Sequence, residues 1–79
     1  RAGAGSAALA ALYESATDRR TKESVIAALV RQGDRAAIDK LIAVARTETD
    51  ATVRRHTLNR LRRVDDPRVR ELLQDLVER

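Results

Sequence analysis

Side chains able to do chemistry are few in this chain. His56 is the only histidine, there is no cysteine, and the serines are Ser6, Ser15 and Ser24. A serine nucleophile needs a base held within hydrogen-bond reach, and none of the three has a histidine near it in sequence. On a helical wheel His56 falls beside Arg55 and Arg63, off the apolar stripe of its segment, as a solvated imidazole would. A metal site built on one histidine would have to borrow carboxylates, and no such cluster shares a face with it. Asp65 and Asp66 are adjacent carboxylates, the raw material of acid–base work. They stand immediately before Pro67, however, where a helix start explains them. Gly3 and Gly5 follow no strand and lack the third glycine of a dinucleotide fingerprint. The expectation is a non-enzyme with no cofactor and no bound metal.

The elements that would carry any site are marked by four aspartates, Asp18, Asp34, Asp50 and Asp66, at an unvarying interval of sixteen. An aspartate side chain accepts from the orphan N–H groups that open a helix, and its charge suits the positive end of the helix dipole. Each is followed by about a dozen helix-favouring residues. The spacing predicts five helices, over residues 6–16 (with Ser6 as a candidate cap), 18–33, 34–47, 50–64 and from 66 onward. Gly33 suits the left-handed turn that closes the second. In the third, Ala37, Ile38, Leu41, Val44 and Ala45 form one buried stripe, as do Val69, Leu72, Leu73, Leu76 and Val77 in the fifth. No segment alternates with period two. The fold class is all-α.

Offsetting the chain against itself by thirty-two residues aligns Leu9, Leu41 and Leu73, then Leu12, Val44 and Leu76, and also Lys22 with Arg54. The unit is thus a helical hairpin, and a fixed period of this size signals a solenoid whose units bury their apolar faces only against neighbours. One domain over 1–79 is expected, made of a half unit (6–17) and two units (18–49 and 50–79). Its core is small: nineteen Leu, Ile and Val, fourteen alanines, and Tyr13 as the only aromatic. The chain opens on Arg1, and residues 1–6 read as a frayed lead-in or linker remnant. The stripe through Leu73 and Val77 lacks a following unit. Both features are expected of a piece of a longer array, with the last helix covered by neighbouring repeats or another chain. The longest apolar run, residues 7–13, is too short to cross a bilayer, so no membrane insertion is expected. Nothing in the chain assigns a compartment.

The run Asp50-Ala-Thr-Val53-Arg54-Arg55-His-Thr-Leu58-Asn-Arg-Leu61 resembles the first helix of a HEAT repeat, D-x-x-V-R-x-x-A-x-x-x-L. Residues 64–67 resemble the turn into the second helix, and Asp18, Lys22, Ala28 and Leu29 match in the preceding unit. Thr21 stands where the family has valine, and Thr57 where it has a small alanine. The resemblance implies a short right-handed α-solenoid of about two and a half hairpins. It also implies a ladder joining the units, by position through Lys22 and Arg54 with Asp34 and Asp66. First helices would line the convex side and second helices the concave side, where partners dock. That places Arg35, Asp39, Lys40, Arg46, Arg70, Glu71 and Gln74 as candidate partner-binding residues, with pairs such as Arg35–Asp39 neutralising each other along the helix.

Charge supplies the competing surface. Sixteen Lys and Arg against twelve Asp and Glu leave +4, and fourteen of the cations are arginine. Between residues 54 and 70, seven arginines face only Asp65 and Asp66. Arg55, Arg62 and Arg63 are the candidate nucleic-acid contacts, in the salt-sensitive mode of phosphate binding. Lack of aromatics weighs against base stacking, and a mixed-sign face suits a protein better than a polyphosphate. The expected function is a protein-interaction or scaffold module of HEAT type. The alternative is a nucleic-acid-binding module using the arginine-rich face of residues 54–70.

Overall fold

The computed structural model describes residues 4–78, with side chains over 5–77. The lead-in at 1–3 and the Glu78 side chain lie outside the described residues. Five helices follow one another: α1 (Ala4–Ser15), α2 (Arg19–Gln32), α3 (Arg35–Thr47), α4 (Ala51–Leu61) and α5 (Pro67–Glu78). All four spaced aspartates cap. Asp18 accepts from Thr21 N at 3.0 Å, Asp34 from Ala37 N at 2.9 Å, Asp50 from Thr52 N at 2.9 Å and Asp66 from Arg68 N at 2.8 Å. Gly33 closes α2 at φ 64°, a conformation that strains any residue with a side chain.

Two boundaries differ from expectation. Ser6 is not a cap: α1 already runs through Ala4 and Gly5, and the buried Ser6 hydroxyl donates to Asp34 Oδ1 at 2.7 Å, tying α1 to the α3 cap. Residues 4–6 are therefore helix and not lead-in. At Gly5 a Cβ would stand 2.9 Å from Gln32 Nε2, so glycine lets the start of α1 approach the end of α2. Helix α4 stops at Leu61, three residues early. Arg63 N bonds Arg60 O at 3.2 Å and Val64 N bonds Leu61 O at 2.9 Å, a tightened final turn. Pro67 just ahead disfavours continued helix in the residue before it.

The helices form two layers. α1 packs on α3 and α2 on α4, α2 nests against both α1 and α3, α4 nests against α3, and α5 joins the core through Val69 and Leu72. The core joins Val25, Ile26 and Leu29 of α2, the α3 stripe, Val53 and Leu61 of α4, and Val69 and Leu72 of α5. Leu41, at the centre of α3, is fully buried. The two departures from the HEAT pattern are both satisfied locally. Buried Thr57 donates to Val53 O at 2.9 Å, and Thr21 Oγ1 donates to the Asp18 cap at 3.0 Å. Leu12 of α1 and Val77 of α5 are more open, 48% and 84% exposed.

The joint between units is built differently from the expected ladder. Lys22 and Arg54 do not reach out to the turn aspartates. They converge on Glu48, the residue that ends α3. Lys22 Nζ donates to Glu48 Oε1 at 3.0 Å, and Arg54 Nη1 to the Glu48 carbonyl at 3.0 Å. Asp50 N donates to Glu48 Oε2 at 2.9 Å, and the Tyr13 hydroxyl donates to Oε1. Four helices thus meet on one residue whose side chain is only 6% exposed. The Tyr13, Asp50 and Lys22 bonds, outweighing burial, pull the Glu48 carboxyl down to about 2. Burial, and then the Glu48 carboxylate, push the Tyr13 phenol well above its ordinary value. The chain's two lysines flank that ring, Lys22 Nζ at 5.7 Å and Lys40 Nζ at 5.3 Å from its centroid.

Two outcomes follow for stability. Leu41→Ala removes a side chain packed on every side and is expected to cost roughly 2–5 kcal/mol. A thermal midpoint lowered by less than about two degrees would place Leu41 outside the core. Because Glu48 is depressed when folded, its contribution is complete above its ordinary 4.5 and fades as pH falls toward 2. Glu48→Gln should lower stability at neutral pH by about 1–3 kcal/mol. It should also flatten the loss between those pH values to the shallower slope left by Asp18, Asp50 and Asp66. Parallel denaturation curves for both proteins across that window would refute the joint.

Candidate functional site

The surfaces follow from the layers. Along α1, α3 and α5, three ion pairs run across helices. Lys40 reaches Glu14 of α1, Arg68 of α5 reaches Asp39, and Arg46 Nη2 lies 3.3 Å from Asp75 Oδ2. The expected Arg35–Asp39 pairing is overturned, because Arg68 takes Asp39 from the next unit. Arg68 also clasps Asp66, through Nε at 3.3 Å, and these bonds hold the Asp66 carboxyl below its usual range. On the other layer Arg19 Nε lies 3.2 Å from Asp50 Oδ2. Burial of Asp50 acts against ionisation, but donation from Val53, Arg19 and Thr52 outweighs it, and its carboxyl is lowered as well.

Of the seven candidate partner residues, three come together. Asp39, Arg46 and Glu71 line an open groove of about 200 Å³ between α3 and α5, with Ile42 and Arg68 completing it. Gln74 and Arg70 are exposed on α5, and Arg70 Nη1 meets Asp65 Oδ1 at 2.7 Å. Arg35 is exposed at the start of α3. Lys40 points elsewhere, into the polar depression shared with Tyr13 and Glu48. Arg68 is a groove residue that sequence reasoning missed. Its position two residues after a capping aspartate was the available signal, since that offset aims it back at the turn.

Of the basic set, Arg63 lines the groove between α2 and α4, with Val30, His56, Asn59 and Arg60. Arg55 and Arg62 are exposed outside it. Arg60 borders the same groove. It is exposed, and its Nε donates to His56 Nε2 at 3.2 Å. Asp65 and Asp66 diverge, one to Arg70 and the other to its cap and Arg68. Among the described residues no three His, Asp or Glu are placed to hold a metal, and no buried side-chain polar atom lacks a partner. No described helix is long and apolar enough to cross a membrane.

A family model described as HEAT repeats matches residues 6–79. Searches of curated proteins and of solved structures returned no match. HEAT repeats generally mediate protein–protein interaction or scaffolding, and proteins built from them are typically non-catalytic. The match spans nearly the whole chain and agrees with the two-layer stacking of Asp-capped helices: this chain belongs to the HEAT-repeat family.

Proposed function

We propose that the chain is a non-catalytic protein-interaction module whose docking face is the groove between α3 and α5. The observation that carries this reading is the cross-bracing of that face. Asp39–Arg68 and Arg46–Asp75 span α3 and α5 on either side of Ile42, so the charged rim is held in position before any partner arrives. Preorganised side chains lose less rotamer freedom on binding, which is where many surface contacts lose their gain. The rim is mixed in sign, and Glu71 and Gln74 project beside it, exposed. Such a surface recognises a folded partner by complementary charge placement more readily than a uniformly negative polymer.

Affinity capture with the wild-type chain and a Glu71→Lys/Gln74→Lys variant tests this. Both positions are exposed, so the variant should fold and melt as wild type does. Partners retained by wild type should bind the variant at least about tenfold more weakly. Equal retention by both proteins, or retention by neither, contradicts the assignment of this face.

A further inference from the structure

Among the described residues some cations form ion pairs and others, Arg20, Arg31 and Arg35 included, do not. Arg19, Lys22, Lys40, Arg46, Arg68 and Arg70 each pair with a carboxylate. The arginines of α4 do not: Arg54 donates to a backbone carbonyl and Arg60 to an imidazole, while Arg55 stays unpaired, as do Arg62 and Arg63 just beyond the helix. Unpaired guanidinium groups on an exposed helix are ordinary when scattered. Two of these are not scattered. His56, Asn59 and Arg60 follow one another at i, i+3 and i+4 on α4, and Arg63, in the turn after it, lines the same wall. Val30 of α2 closes the opposite wall, giving an open groove of about 380 Å³ with no carboxylate in its lining.

The chemistry of that lining is specific in kind. Arg60 and Arg63 offer planar forks suited to carboxylates. The Arg60 Nε–His56 bond orients the first fork and leaves its terminal N–H groups available. Asn59 carries both a donor and an acceptor, the combination that reads a peptide backbone. Val30 supplies an apolar contact. No aromatic lines the groove, and Tyr13, the chain's only one, is buried at the Glu48 joint, so nothing here stacks a base.

We propose that the α2–α4 groove binds an acidic peptide segment of a protein partner, with its carboxylates on Arg60 and Arg63 and an apolar side chain against Val30. This second surface lies apart from the α3–α5 groove and does not rest on the assignment of that face. The test is fluorescence anisotropy of a labelled eight-residue peptide of alternating glutamate and leucine, with its glutamine counterpart and a duplex DNA as comparison ligands. Arg60→Ala/Arg63→Ala and Arg55→Ala/Arg62→Ala remove the same charge from exposed positions inside and outside the groove. The acidic peptide should bind in preference to the glutamine peptide and to DNA. The groove pair should weaken it at least about tenfold, and the outer pair less than about threefold, as a local charge contact requires. Three results would overturn the proposal: equal losses in the two pairs, equal binding of the glutamine peptide or none of either, and tighter binding of duplex DNA.

Discussion

The structure depends on one constraint: no helix in this chain can bury its apolar stripe against a single neighbour. Ile26 and Leu29 of α2 are sealed only because α1, α3 and α4 all contribute to their surroundings. Leu41 and Val44 are closed off by stacking, while their equivalents one unit earlier, Leu9 and Leu12, remain partly or largely open. Equivalent positions differ in burial because they differ in the number of described helices packed around them. Stability is thus a property of the interfaces between hairpins, as nearest-neighbour accounts of repeat proteins describe.

Glu48 is the polar counterpart of that stacking. It gathers a tyrosine from α1, a lysine from α2, the cap of α4 and an arginine from α4, at the end of α3. A buried carboxylate is tolerated when its acceptor sites are filled, and here both oxygens and the backbone carbonyl are occupied. The joint also explains why the lysines stand apart from the arginines. Both flank the one aromatic ring, and a compact ammonium fits there more easily than a guanidinium fork.

The parts of the fold legible in the sequence were those fixed within one turn of helix. The Asp caps, the Gly33 terminus and the α3 stripe depend on offsets of three or four residues, and all stand where the spacing placed them. Contacts between helices depend on axial shift and rotation, which residue spacing alone does not set. Ser6 therefore looked like a cap but links α1 to α3, and Arg35–Asp39 gave way to Arg68. Lys22 and Arg54 turned to a glutamate that carries no family signature. The functional surfaces were only partly legible for the same reason. Helix wheels separated inward from outward residues, yet not which outward residues border a neighbour. Asp39, Arg46 and Glu71 share a groove across two helices, whereas Lys40, adjacent to Asp39 in sequence, faces another helix altogether.

The central claim, side-by-side stacking at a fixed period, is open to a direct distance measurement. Ala11, Ala43 and Asp75 are equivalent positions thirty-two residues apart, all exposed, on α1, α3 and α5. Spin labels placed pairwise at these sites report the helix separations by pulsed electron resonance. With neighbouring helix axes about 8–10 Å apart, the 11–75 distance should be roughly twice the 11–43 and 43–75 distances. Three comparable distances would mean a closed bundle and would contradict the account.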